Sequence, residues 1–328
     1  MNESTTKEKT FSVVQFVSTA SLPLLIIVAV IVFSILCPNT YPTAFNVKSI
    51  LNNQAVNILV ALAVMVPIIN NNFDMSVGYG VCLYHILLIG MMVNMHLPWP
   101  IAIVLILLLG ACVGFVNGML VTRLNLSAFI ATLGTGFILY GFAFMYSGGA
   151  QIVGVLPNAF IKINSYIGII PTTFIIAMIV ALILFIVYDY TPVGRYMYFI
   201  GSNPKAAQLS GIPVKKYLIC SFIVSSLLAS LAAIVLQSII RVGQISVGPD
   251  YTMPGFAAAL MGSVAIRPGK TNVWGTVFAV LLLACVFAGL KQMGAQYYVE
   301  PLFNGAILVI SVALAEATRQ RRATSIKK

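Results

Sequence analysis

Charge is what this chain has least of. Seven acidic side chains and two histidines are spread over 328 residues, and charged residues of both signs make up 8% of the total, against roughly a quarter in ordinary soluble domains. With 60% of its residues hydrophobic, a soluble protein of this length could not solvate its surface. The shortage of carboxylates and histidines also excludes most chemistry. No HExxH, no Ser-His-Asp grouping and no pair of membrane carboxylates stands out, so the chain does not read as an enzyme. His85 and His96 lie eleven residues apart without a metal-binding companion and read as a packed and an interfacial histidine, so no metal site is expected. The five cysteines (Cys37, Cys82, Cys112, Cys220, Cys285) are isolated and odd in number, which implies neither a disulfide framework nor a CxxC site. Gly269-Lys270-Thr271 ends like a phosphate-binding loop, but Val264 stands where the first glycine belongs and no parallel strand precedes it.

Apolar runs of about 20 residues are present from end to end, each long enough for a hydrocarbon core about 30 Å thick. The fold class is therefore an all-α polytopic membrane protein with about ten transmembrane helices. The spans are placed near 16–37, 51–69, 75–94, 98–121, 126–147, 167–189, 217–239, 253–266, 273–291 and 301–317. The eighth is too short to cross alone and reads as broken or re-entrant, a form tolerated only where protein or a polar cavity surrounds it. The first run is long for a signal-peptide core and no Ala-x-Ala-like site follows it, so it is expected to stay as an uncleaved span.

The net charge of +11 reflects topology rather than nucleic acid, because the basic residues sit in short loops and at both ends. With an even span count and a cytoplasmic N-terminus, 14 of the 18 basic residues fall inside and only Lys48, Lys162, Arg241 and Lys291 outside. The positive-inside rule then puts both termini in the cytoplasm. The organisation is a tail at 1–15, one transmembrane domain at 16–317 with a cytoplasmic loop at 190–216, and a basic tail at 318–328. Two short echoes fit either a pair of inverted five-helix halves or the chance likeness of apolar segments. Val104 to Val113 resembles Val277 to Val286, and Ser76-Val77-Gly78 recurs as Ser246-Val247-Gly248.

Three places could carry function. In the cytoplasmic loop, Asn203 can cap a helix, Pro204 suits its first position, and Gly211 before Ile212-Pro213 ends it after about two turns. A short surface helix between spans is a handle for another protein. The second place is the break from Asn70 to Gly80, where Asn71, Asn72, Asp74 and Ser76 interrupt apolar runs; Asp74 either caps the next helix or lines a path, and the two roles are compatible. The third is span four, where Gly110, Gly114 and Gly118 bare one helix face for close contact beside Asn117. Span five follows with Thr132, Gly134 and Thr135 in one turn. The bland reading of this region is helix packing; the sharper one offers Asn117, Thr132 and Thr135 as hydrogen-bond groups for a polyhydroxy solute.

These residues also carry a resemblance. Asp74 to Gly78, Gly114 to Val121, Phe129 to Thr135, Gly194-Arg195-Tyr196 with Gly201 to Ile212, and Val273 to Thr276 occur in this order over about residues 45–317. Together they resemble the permease subunits of ribose-type, simple-sugar importers of the ATP-binding cassette class, within the branched-chain amino acid and ribose permease superfamily. The resemblance implies a second permease copy or a paralogue, cytoplasmic ATPase subunits that bind the ATP, an extracytoplasmic solute-binding protein, no cofactor of its own, and a bacterial cytoplasmic membrane. It implies a coupling helix from Asn203 to Gly211, with ATPase contacts from Arg195, Asn203, Pro204, Ala206, Ala207, Leu209, Ser210 and Gly211. Ala207 and Leu209 are expected on the docked face. The alternative is a secondary transporter coupled to an ion gradient through the Asp74 region. Where relatives usually read Gly-Gly-Ile-Asp-Leu this chain has Asn71-Asn72-Phe73-Asp74-Met75, which implies a different solute or a divergent heterodimeric pair.

Overall fold

The computed structural model describes residues 21–263, 266, 267, 269–310 and 313. The tails at 1–15 and 318–328, Val264, Ala265, and the ends of the first and last expected spans lie outside the described residues. Among those described, the chain is mostly helical. The apolar helices are α1 (Ser21–Leu36), α2 (Ala44–Ile69), α3 (Val77–Val93), α4 (Trp99–Arg123) and α5 (Ala128–Ser147). After a short α6 (Asn158–Ile161) and a two-residue hairpin of β1 (Tyr166–Ile167) with β2 (Ile170–Pro171) comes α7 (Thr172–Phe185). Next are α8 (Pro192–Ser202), α9 (Pro204–Leu209), α10 (Val214–Ile240), α11 (Val247–Asp250), α12 (Thr252–Gly262), α13 (Val273–Gln292) and α14 (Val299–Ile310).

Among the described residues, six helical stretches are long and apolar enough to cross a membrane: α2, α4, α5, the stretch Thr172–Tyr190, α10 and α13. α1, α3 and α14 are shorter apolar helices. The short eighth segment is α11 followed by α12, eleven residues and so about 16 Å at about 1.5 Å per residue. Protein encloses most of it: Thr252, Gly255 to Leu260 and Gly262 are all buried, while Met253 is exposed.

Two boundaries differ from expectation for physical reasons. α2 begins seven residues before the apolar run, because Thr43 accepts the Asn46 N–H at 3.2 Å and polar residues extend the helix from Asn46 to Asn57. The segment before span six is a hairpin turning at Gly168, whose φ of +63° suits glycine, so the helix starts at Thr172 rather than near 167.

α2 and α10 pack on each other at the centre. α2 also packs on α12 and α13, while α10 packs on α3 and α4. These central helices are buried on most sides, whereas α4, α5 and α7 turn apolar side chains such as Leu108, Phe137 and Ile179 outward, as lipid contact requires. α4 and α10 run antiparallel in close contact. A Cβ on Gly110 would lie 2.7 Å from Ser230 Oγ, one on Gly114 2.4 Å from the Phe222 carbonyl oxygen, and one on Gly118 2.8 Å from Ile219 Cα. Glycine every fourth residue is what lets these two backbones approach. A Cβ on Gly134, expected in the same packing role, would meet no atom within 4 Å, so this glycine packs against nothing among the described residues.

Candidate functional site

The polar residues of the early spans converge on one carboxylate. Asp74 is fully buried, in the segment between α2 and α3. Its Oδ1 accepts the Ser76 N–H at 3.0 Å and the Ser76 hydroxyl at 2.5 Å, and its Oδ2 accepts the Ser225 hydroxyl of α10 at 2.9 Å. Holding the Ser76 N–H makes a turn just before α3, whose N-cap is Ser76 and carries no side-chain cap, so Asp74 does not itself cap the helix as one reading of the sequence expected. Ser76 Oγ in turn accepts from Asn117 Nδ2 at 2.9 Å, and Asn117 Oδ1 accepts the Thr135 hydroxyl at 2.7 Å. Thr132 Oγ1 accepts the Met75 N–H at 2.9 Å and donates to the Ala128 carbonyl at 2.7 Å. Four helices, α3, α4, α5 and α10, are thereby joined through one chain of hydrogen bonds, and a fully satisfied buried network of this kind is rigid.

Asp74, Ser76, Asn117, Thr132 and Thr135 are thus brought together as a group. Asn71 and Asn72 are not: Asn71 is exposed with φ of +59°, and Asn72 donates to the Asn70 carbonyl at 3.1 Å. Sequence reasoning misses Ser225. Its only signal is a repeat of serines, Ser221, Ser225, Ser226 and Ser230, in an otherwise apolar helix. Two of them serve the same region, since Ser226 Oγ also meets the Tyr84 hydroxyl at 2.9 Å.

The loop expected at 190–216 is mostly helix. Asn203 Oδ1 accepts the Ala206 N–H at 3.0 Å, Pro204 opens α9, and Gly211 takes φ of +81° while Ile212 N–H returns to the Ala207 carbonyl at 3.1 Å. Leu209 is 90% exposed, a large apolar side chain standing free. Ala207 is fully buried and therefore faces this chain, which removes it from the docked face expected of it. Ala206 is half-buried, while Asn203, Pro204, Ser210, Gly211 and Arg195 are exposed.

α8, not foreseen as a separate helix, seats α9 on the bundle. Met197 and Ile200 are buried, and a Cβ on Gly201 would lie 2.1 Å from the Ile69 carbonyl oxygen at the end of α2. Its outer side exposes Val193, Tyr196 and Phe199. The loop before α13 is tied to the same region. Arg267 forms an ion pair with Asp189, and the Tyr198 hydroxyl donates to the Thr271 carbonyl at 2.8 Å. Burial, with Asp189 nearby, pushes the Tyr198 phenol up to about 12 against the opposing pull of Arg267, so it stays a neutral donor near neutral pH. Lys270, from the Gly-Lys-Thr triplet, lies 5.7 Å over the Tyr198 ring. Asn272 caps α13 by accepting the Gly275 N–H at 2.7 Å.

A buried polar node and an exposed capped helix thus lie at one end of an apolar helical bundle. The profile of the family described as branched-chain amino acid transport system, permease component, matches residues 46–312, and the chain belongs to that family. It is 31% identical to the ribose import permease protein RbsC of Bacillus subtilis over 88% of this chain and 89% of that one. It is 28% identical to the galactose/methyl galactoside import permease protein MglC of Haemophilus influenzae, over 84% and 87%. It is 31% identical to the autoinducer 2 import system permease protein LsrD of Escherichia coli O9:H4, over 77% and 78%. No solved structure matches it. The chain is a multi-pass membrane permease component and not an enzyme.

Proposed function

We propose that this chain is the translocation subunit of an ATP-binding cassette importer in a bacterial cytoplasmic membrane, carrying a sugar or similar small polar solute inward by alternating access. The observation that carries this reading is α9, a capped two-turn helix with Leu209 projecting from it and the exposed apolar side of α8 beside it. A cytoplasmic ATPase docks on that surface and itself binds and hydrolyses the ATP; the other partners are a second permease copy or paralogue and an extracytoplasmic solute-binding protein. The bias of basic residues to the α9 side supports cytoplasmic termini. The names of the relatives, for ribose, galactose and autoinducer-2 import, support the solute class.

Two inverted halves fit the packing. α2 holds α12 and α13 as α10 holds α3 and α4, and the two Ser-Val-Gly triplets meet at Gly78 and Gly248. In this reading the Asp74 network is a rigid node beside the path, because its hydroxyls and amide are spent on one another. The same occupancy weakens an ion-coupled mechanism, since both Asp74 oxygens already have protein donors. The test is uptake in proteoliposomes. With an ion gradient and no ATPase the purified chain is expected to move no sugar, and sugar uptake under that condition would overturn the proposal.

A further inference from the structure

At the Ala44 end of α2, away from the Ile69 end where α8 is seated, a cavity of about 260 Å³ opens between α2, α12, α13 and α14. One side of α2 presents Asn46, Asn53 and Asn57 to it at helical spacing. Asn304 of α14 and Phe287 of α13 also line it, together with apolar residues such as Ala258, Val280 and Leu283.

Several of these amides have unused capacity. Asn304 is 4% exposed, and its Oδ1 has no hydrogen-bond partner among the described residues. A buried acceptor left in that state is costly, so it calls for an occupant that donates to it. Asn53 is exposed at the mouth of the cavity, and its side-chain amide makes no hydrogen bond to another described residue. Asn57 spends only its Nδ2, on Gln54 Oε1 at 2.8 Å. Asn46, by contrast, is tied on both sides, donating to the Tyr41 carbonyl at 2.8 Å and accepting from Gln292 Nε2 at 2.9 Å.

The charge at the rim cancels, because Lys291 and Glu300 pair with each other at 2.7 Å. A cavity rich in amides and without net charge favours a neutral solute that both donates and accepts. Its volume lies just under the roughly 300–1,000 Å³ typical of drug-sized ligands, which suits something smaller. The Phe287 ring supplies an apolar wall for C–H groups.

We propose that this cavity is a recognition site for a neutral polyhydroxylated solute, held by the amides of Asn53, Asn57 and Asn304 against Phe287. The inference rests on the importer reading, whose sidedness puts the Ala44 end of α2 outside the cell, where solute arrives.

The test uses the full chain in lipid nanodiscs, with D-ribose and D-galactose as probes, lysine as a charged control, and saturation-transfer NMR as the readout. Transfer is expected to at least one sugar and not to lysine. It should fall by about fivefold in Asn53→Leu and in Asn304→Leu, the effect of one lost neutral hydrogen bond, and stay unchanged in Gln151→Leu, at an exposed position outside the cavity. Each variant is first checked for wild-type helix content, and Asn57→Leu replaces any that fails. Absence of transfer to either sugar, equal transfer to lysine, or transfer that survives the substitutions overturns the site and leaves it a water-filled cavity. Uptake by the assembled importer, measured in parallel, separates the two claims. Sugar uptake without sugar transfer removes the cavity alone, and sugar uptake by the purified chain in an ion gradient without the ATPase removes the importer reading with it.

Discussion

Gly78 and Gly248 meet backbone to backbone: a Cβ on Gly248 would lie 2.5 Å from the Gly78 carbonyl oxygen, and one on Gly78 would lie 2.8 Å from that of Gly248. Each is the last residue of a Ser-Val-Gly triplet, 170 positions apart in the chain. Neither contact can relax by moving a flexible side chain. Gly248→Ala is therefore expected to cost about 1–3 kcal/mol, as overpacked core positions do. Gly134→Ala, where nothing stands within 4 Å, is expected to change stability little or to gain slightly from helix propensity. Thermal melts of the two variants in the same detergent check the contrast.

The Asp74 network makes a graded expectation. Asp74→Asn keeps an acceptor for Ser76 and lets the Ser225 hydroxyl reverse to accept from the new amide, so folding and uptake should largely survive. Asp74→Leu strands the Ser76 N–H and both hydroxyls in the interior and should cost several times the roughly 1–3 kcal/mol of one orphaned buried group. Folded yield and uptake of the two variants are the measurement. Full loss of uptake in a well-folded Asp74→Asn would point to a titrating role instead.

The cap of α9 can be tested apart from its docking face. Asn203→Ala removes the acceptor for the Ala206 N–H and should destabilise this short helix by about 1 kcal/mol. Gly211→Ala places a side chain at φ of +81°, which L-residues disfavour, and should act in the same direction. Both are expected to weaken ATPase association without changing the thermal stability of the bundle. Pull-down of the ATPase against melting temperature reads the difference.

Gly201 offers a route from α9 to the bundle. Its Cβ would lie 2.1 Å from the Ile69 carbonyl oxygen, so Gly201→Val should unseat α8 while leaving the exposed surface of α9 chemically intact. Retained ATPase binding with lost uptake is the expected outcome, and normal uptake would show that this seat carries no coupling.

What the sequence made legible was set by local chemistry. Asn203, Pro204 and Gly211 announce a helix start and stop regardless of surroundings, and Gly110, Gly114 and Gly118 announce a close contact. The partner of that glycine face, Ile219 to Ser230 of α10, was not legible, because apolar helices look alike whether they face lipid or core. For the same reason the sequence left Gly134 grouped with the packed glycines. Ser225 was missed because its bond to Asp74 spans 151 positions and no local pattern encodes it. Ala207 and Leu209 are two residues apart on one short helix, so they point to different sides, and only the seating of α9 on α8 decides which is buried. The early start of α2 was hidden by its polar residues, which lower hydropathy while the Thr43 cap and the cavity accommodate them.

The central claim is that an ATPase acts on this permease through α9. The most direct measurement is Leu209→Asp in the assembled importer, read as solute-stimulated ATP hydrolysis and solute uptake together, because Leu209 is exposed and its replacement disturbs no contact within the chain. Loss of both, with the permease still folded in the membrane, is the expected result. Stimulated hydrolysis and uptake at the level of the unsubstituted importer would contradict the account.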